Sequence, residues 1–399
     1  MARGSIMHMK PSCRAMDRWP NFTKPGLRSL YPLWLIGANL IARLGGMVIL
    51  ILIGHAYSQA DLGTYFQLLA TIGLAVTATQ AGSGPLLVRL AQNRVFGQAM
   101  LVVATRFLIA GAASILIVAT TSVALAQYWP LILIPFAAAL SPDWMIAAKT
   151  RFSRLGMISV IGQACGIMVA VWAWLSLSDL ALYLIAPAVS LTSLALATAF
   201  AFEQSSSHST NASPIRKSSA FGLVGFTLLA GFLPNFDFVL FGTDNDPLFL
   251  AQRVFLFCAG LIAAIASTLF AKNEVGQMRD IWLVVPMVLI SGVLLFLPGK
   301  LAGLFYASPS DDLINILKVG AAWPVLMAFI ARQILILQEI SAMKWLGWGC
   351  LALMVITTPA MPTSDLAPDI MKLIELRLAC LVLILLACQK VATRRQVMA

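Results

Sequence analysis

The sequence is poor in charge. Only 11% of its 399 residues are Asp, Glu, Lys or Arg, where a soluble domain carries about 25%. It has three histidines, His8, His55 and His208, far apart along the chain. Its six cysteines, Cys13, Cys165, Cys258, Cys350, Cys380 and Cys388, form no CxxC pair. These absences exclude a disulfide framework and a zinc site read from spacing, and five of the cysteines fall in apolar runs as packing residues. No Walker A pattern GxxxxGK[ST] occurs, so hydrolysis of ATP by that route is excluded. No connecting segment is long enough for a soluble catalytic domain, and we expect neither an enzyme nor a cofactor. A cleaved signal peptide is not expected either. The first apolar run starts near residue 33, is too long for an h-region, and no A-x-A site follows it.

What is present is apolar length. Hydrophobic residues make up 60% of the chain, and the mean hydropathy is +0.89. Runs of about 20 apolar residues recur throughout, the length that crosses a bilayer as a helix. Twelve helices are predicted, at 33–54, 62–82, 98–126, 129–148, 156–177, 180–202, 220–242, 247–271, 281–298, 313–337, 345–361 and 370–389. Breakers mark several joints: Pro130, Pro247, Pro298-Gly299 and Pro362. The fold class is therefore an all-α integral membrane protein.

The loops carry an orientation signal. With the N-terminus inside, nineteen Lys and Arg lie in the inside segments and one, Lys300, lies outside. The outside loops hold Asp61, Asp179, Asp244, Asp246, Asp311, Asp312, Asp365 and Asp369 instead. Lys and Arg kept on the cytoplasmic side set the topology, so both termini are expected in the cytoplasm. The net charge of +11 is spread over short loops and not gathered on one basic face, so nucleic acid is not an expected partner.

The organisation expected is a basic N-terminal segment (1–32), a first lobe of six helices (33–202), a linker (203–219), a second lobe (220–389) and a tail (390–399). The linker contains "EQSSSHSTNASPIRKSS", Ser-rich and the longest polar stretch between spans. Six helices on each side of a linker, around a central cavity, is a layout common among secondary transporters.

Seven basic residues remain inside the spans: Arg43, Arg106, Arg253, Lys318, Arg332, Lys372 and Arg377. Lys318, Lys372 and Arg332 lie near helix ends, where they can snorkel. Arg43 is about 13 Å into its span. Facing lipid there, an arginine costs at least ~2.5–3.5 kcal/mol, so it faces protein or a water-filled cavity. Asn39 shares its face, and Gly45 and Gly46 follow. Two readings stand for Arg43: an internal ion pair, with Asp143 as one candidate, or a cationic wall for an anionic substrate. Asp237 and Arg253 flank one short turn and are expected to pair, in a corner made polar by Gln252 and Asn235 and bent at Pro234. Arg106 and Asp143 form a second expected pair, with Asp143 either its partner or a protonatable coupling group. Glu375 and Arg377 receive no role.

Three segments carry a family resemblance. "HAYSQADLGTYFQLLATIGLAVTATQAGSGPLLVRLAQNR" (55–94) resembles the first loop and second helix of bacterial Wzx-type polysaccharide flippases, through Leu62, Gly63, Tyr65, Gly82, Gly84 and Arg89. "SPDWMIAAKTRFSRLG" (141–156) is similar to that family's Asp-Trp entry, at Asp143 and Trp144, although Ala148 and Thr150 stand where Gly and Glu are usual. "PNFDFVLFG" (234–242) is similar to its seventh helix. The resemblance implies the multidrug/oligosaccharidyl-lipid/polysaccharide (MOP) exporter fold. It implies flipping of a polyprenyl-diphosphate-linked oligosaccharide to the outer leaflet of the bacterial inner membrane by alternating access. Arginines on the first and eighth helices, here Arg43 and Arg253, would face the substrate, with Asn39, Gln252 and Asn235 beside them. Arginine suits such a substrate, since its guanidinium binds phosphate bidentately. The expected partners are that lipid-linked oligosaccharide, membrane lipids, a coupling H+ or Na+, and polysaccharide polymerase machinery. The alternatives are a MOP-type multidrug or metabolite antiporter and a membrane polymerase or ligase. The loop "RLAQNRVFGQ" lacks the GxxxDRxGRR pattern of the major facilitators.

Overall fold

The computed structural model describes residues 31–80, 82–121, 123–149, 152–202, 217–242, 245–271, 281–338, 340, 343–360 and 366–398. The basic N-terminal segment and residues 203–216 of the expected linker lie outside the described residues. So do the side chains of residues 31–40, 217–220, 266–271 and 393–398, Asn39 among them.

The chain is helical, with no strand among the described residues. The first half contains α1 (Tyr31–Ala56), α2 (Gln59–Gln80), α3 (Ser83–Gln92), α4 (Phe96–Thr120), α5 (Leu125–Leu140), α6 (Asp143–Ala148), α7 (Phe152–Ser176) and α8 (Asp179–Phe202). The second contains α9 (Lys217–Phe241), α10 (Asp246–Ala271), α11 (Ile281–Phe296), α12 (Pro298–Phe305), α13 (Asp311–Val319), α14 (Trp323–Leu337), α15 (Leu346–Thr357) and α16 (Ala367–Met398).

Each of the twelve segments expected from hydropathy overlaps at least one helix among the described residues. Among the described residues eight stretches are long and apolar enough to cross a membrane, and the bent pair α11–α12 makes nine. Arg43–Ala56 of α1 and the whole of α15 are shorter apolar helices. In α16 Asp369, Lys372, Glu375 and Arg377 crowd one end.

Local chemistry explains where the helices differ from expectation. The third span stops at Thr120 and the fourth starts at Leu125, because Thr121 is extended (φ −88°, ψ 130°). The fourth span breaks at Ser141, which precedes Pro142 and is pushed out of the helical region. Between α2 and α3 Gly82 takes a left-handed φ of 63°, a conformation cheap only for glycine. The short α3 that follows falls in a stretch expected to be partly loop. Residues 298–305, starting at Pro298, form α12 at 96° to α11. The tenth span is interrupted by a 3-10 turn at Gly320–Ala322, after which Pro324 occupies the first turn of α14. α9 runs through Pro234 as one helix.

The helices form two packed groups. α1, α2, α4, α5, α7 and α8 contact one another, as do α9, α10, α11, α13, α14, α15 and α16. The groups meet where α2 lies on α9 and α10 and where α1 lies on α10. Small residues allow that approach. A Cβ at Gly73 would come within 3.0 Å of the Asn235 amide, and Thr77 Oγ1 donates to the Gly231 carbonyl at 3.3 Å. At the end of the bundle bearing Asp61, Asp179 and Asp246 the groups are also tied by hydrogen bonds. Ala307 N–H donates to the Gly54 carbonyl at 3.2 Å, and Gln59 Nε2 donates to the Ser308 carbonyl. A Cβ at Gly54 would strike the Phe305 carbonyl, and one at Gly63 would strike Asp246. This acidic end is closed.

Candidate functional site: a cationic cavity between the two helix groups

Two chambers lie between the groups. The first, about 450 Å³, is walled by α1, α2, α5, α7, α8 and α10, together with Phe305 of α12. The second, about 420 Å³, is walled by α9, α10 and α14 with Arg43. Arg43 and Leu256 line both, so Arg43 stands at the boundary. Most of the lining is apolar. Arg43, Arg253, Gln163 and Ser190 bring polarity to the first chamber, and Arg43, Asn235, Thr227 and Gln338 to the second. Among the described residues no carboxylate lines either chamber.

Arg43 reaches its position because α1 and α10 leave room. A Cβ at Gly260 of α10 would lie 2.8 Å from both Cδ and Nε of Arg43, so the guanidinium rests on bare backbone. Two residues on from Arg43, Gly45 admits the side chain of Gln163 on α7, whose Cβ would be 2.9 Å from an added methyl. Gly46 faces open space and lines the first chamber. Arg43 has no carboxylate partner among the described residues. Asp143 is engaged elsewhere, which removes the expectation of a pair between the two. Its carboxylate accepts the Trp144 N–H at 3.0 Å, and it lies in electrostatic reach of Arg106. The direct partner of Arg106, in turn, is Ser83, whose Oγ accepts from Nε at 2.7 Å.

Arg253 does not pair with Asp237, contrary to the expectation from sequence. Its Nη2 donates to the Phe66 carbonyl on α2 at 2.6 Å, and its guanidinium lies 4.9 Å from the centre of the Phe66 ring. Tyr65 and Tyr306 are its electrostatic neighbours. Nε is buried and without a partner among the described residues. A cation in apolar surroundings without a counter-ion is costly, and Phe66 offsets part of that cost.

Asp237 binds Arg377 instead. Nη1 of Arg377 lies 2.7 Å from Oδ1, with the side chains 7% and 1% exposed. The same guanidinium donates to the Met354 carbonyl and to Thr358 Oγ1 at 3.3 Å, and it lies over Phe236 and Phe241. Helical phase decides the pairing. Asn235 and Asp237 are about 200° apart around α9, so only one of them can face the cavity. Asn235 does; Asp237 turns to α15 and α16. Gln252 is fully buried and donates to the Pro234 carbonyl and to Asn235 Oδ1, both at 3.0 Å. It fixes the Asn235 amide and does not itself line a chamber.

Sequence reading thus placed Arg43, Arg253 and Asn235 at the cavity but missed Gln163, Ser190, Thr227 and Gln338. Lone polar residues in apolar runs were the signal available, and nothing in the sequence says which of them share a wall. Lys372, expected to snorkel, is exposed and paired with Asp369 at 2.8 Å.

No protein-family model matches the sequence, and no curated protein does. Solved structures match the fold. One is described as an "Inward-facing conformation of a multidrug resistance MATE family transporter of the MOP superfamily"; it is 13% identical, the match covers 91% of this chain and 98% of that one, and the TM-score is 0.56. Another, the "MATE multidrug transporter DinF-BH", is 15% identical over 94% of this chain and 98% of that one, with a TM-score of 0.51. The chain is therefore a multi-pass, all-helical membrane protein with the fold of MATE transporters of the MOP superfamily.

Proposed function

We propose that this chain is a transporter that flips a polyprenyl-diphosphate-linked oligosaccharide across the bacterial inner membrane by alternating access. One observation carries the reading. Two arginines with no carboxylate partner among the described residues, Arg43 and Arg253, line a cavity between two helix groups, and no acid lines it with them. An anion is the ligand such a cavity attracts, and guanidinium binds phosphate oxygens in pairs. The amides of Asn235 and Gln338 and the hydroxyl of Thr227 in the second chamber are suited to neutral hydroxylated groups. If the acidic end faces outward, as the loop charges imply, the contacts that join the two groups there lie on the outer side. The chain's likeness to multidrug transporters supports transport as such, and a MOP-type antiporter of anionic metabolites is the second reading. An exporter of organic cations is disfavoured, because its cargo would meet two unneutralised positive charges.

The deciding experiment is deletion of the gene followed by mass spectrometry of lipid extracts. Accumulated lipid-linked oligosaccharide, relieved by the wild-type chain and not by Arg43→Ala, is the expected result. An unchanged lipid profile with altered export of a soluble anion would select the antiporter.

A further inference from the structure

Asn235 lines the second chamber, and the way its amide faces is set from behind. Nε2 of Gln252 lies 3.0 Å from the Pro234 carbonyl and 3.0 Å from Asn235 Oδ1. A carbonyl only accepts, so the Gln252 group that meets it is the NH2 and not the oxygen. The second hydrogen of the same nitrogen then requires an oxygen on Asn235. Turning Gln252 over would set its oxygen against the Pro234 carbonyl. Turning Asn235 over would set two NH2 groups against each other. Gln252 is fully buried and holds this arrangement even though its Oε1 is left with no partner among the described residues.

With Oδ1 committed, the NH2 of Asn235 is the group left for the cavity. It donates to nothing among the described residues. It lies against Gly73 of α2, where an added Cβ would come within 3.0 Å of Nδ2. Gly73 lines the first chamber, so its missing side chain leaves the Asn235 hydrogens uncovered where the two helix groups meet.

Acceptors lie elsewhere along α9. Pro234 has no N–H for the Ala230 carbonyl four residues back. Thr227 spends its hydroxyl hydrogen on the Leu223 carbonyl at 2.8 Å, which leaves lone pairs. Both residues line the second chamber, about 7.5 and 12 Å along the helix from Asn235. The chamber thus runs from a donor at Asn235 to acceptors at Ala230 and Thr227, with Arg43, a donor only, on its wall. A hydroxyl set against the Asn235 NH2 can accept, but its own hydrogen finds no acceptor there, and a hydrogen bond left unmade in a desolvated place is costly. A carbonyl or carboxylate oxygen has no hydrogen to place. Arg43 stands between the chambers, so the sugar next to a diphosphate held there occupies the second one.

We infer that Asn235 selects a carbonyl or carboxylate oxygen on the sugar nearest the diphosphate, and that Gln252 is the positioning residue that keeps the Asn235 NH2 toward the cavity. The substrate class is a glycan whose first sugar is N-acylated or a uronate. That class rests on the flippase reading above; the orientation of the Asn235 amide does not.

The test titrates the purified full chain in detergent with farnesyl diphosphate, and with the same diphosphate carrying one glucosyl, N-acetylglucosaminyl or glucuronyl group. The wild type should bind the N-acetylglucosaminyl or the glucuronyl compound about tenfold more tightly than the glucosyl one. Which of the two it prefers tells an amide carbonyl from a carboxylate. Asn235→Asp keeps the oxygen that Gln252 needs and should abolish the preference. Gln252→Leu frees the Asn235 amide to turn, and Gly73→Ala covers its hydrogens; each should shrink the preference at unchanged net charge. A preference lost in Asn235→Asp alone is electrostatic and overturns the proposal, as does a wild type that binds all the glycosyl compounds alike. If Asn235→Asp does not fold, the two neutral variants decide, and a preference that survives both overturns it. Farnesyl diphosphate by itself separates the two readings. Bound without any preference among the sugars, it leaves the flippase reading standing and this inference refuted; a wild type that binds none of the compounds refutes both.

Discussion

Replacing Asp237 by Asn removes one partner of a buried ion pair and strands the other. Arg377 is 7% exposed and Asp237 1%, so neither can turn to water without repacking α9, α15 and α16. Two unit charges about 4 Å apart attract by about 4 kcal/mol at an effective dielectric near 20. Measured losses on breaking such pairs are about 3–5 kcal/mol, since the remaining charge stays buried. Asn can still accept one hydrogen bond, which places Asp237→Asn near the lower figure and Asp237→Leu near the upper. A double variant, Asp237→Leu with Arg377→Met, removes both charges. It should recover most of the loss, because apolar replacement of a buried pair is often neutral or better. The assay is thermal unfolding of the purified protein in detergent, read by the fraction remaining monodisperse after heating. A clear drop for the single variants and recovery in the double one is expected. A single variant as stable as wild type, or a double variant worse than either single, would refute the idea that this pairing holds α9 to α16. Exchanging the charges of Asp237 and Arg253 should rescue nothing, because those two residues face different neighbours.

Arg43→Ala is expected to abolish surface polysaccharide while leaving the protein in the membrane, and Arg43→Lys to keep part of it. Immunoblotting of membranes beside polysaccharide gels checks both, and normal polymer in the alanine variant removes Arg43 from the mechanism. Gly260→Ala places a methyl 2.8 Å from the Arg43 side chain; the same gels should show reduced but not absent export, with stability within about 1 kcal/mol of wild type. Cysteines at 59 and 308, replacing Gln59 and Ser308, should be joined by a short bis-methanethiosulfonate reagent, since the Gln59 side chain reaches the Ser308 carbonyl at the acidic end. The crosslink should stop transport until it is reduced, and transport through the crosslinked protein would show that this end need not open.

The apolar helices were legible because the bilayer imposes a length. About 20 apolar residues are needed to cross it, and every backbone group must be bonded within its own helix. The break at Pro298 was legible for a related reason, since a proline acts on the residue before it, whereas Pro130, marked as a breaker, lies inside α5. The irregular turn at Gly320–Ala322 went unread, although Pro324 signals it: proline has no N–H for the carbonyl four residues back, at Gly320. The candidate site was half legible. An arginine deep in an apolar run must face something polar, which pointed to Arg43 and Arg253. Their surroundings were not readable, because a helix in sequence has no rotation. The Asp237–Arg253 expectation rested on proximity along the chain. The actual partner, Arg377, is 140 residues away.

By itself the sequence determined an all-α membrane protein with many apolar spans, the helix break at Pro298, and the division of its loops into acidic and basic ones. These follow from hydropathy, backbone geometry and charge counted along a line. The tertiary structure alone decided which charges are paired. It turned Asp237 to Arg377 and left Arg43 on the bare backbone of Gly260. Each of these depends on the rotation of one helix against another, which packing fixes and no local property of the chain encodes.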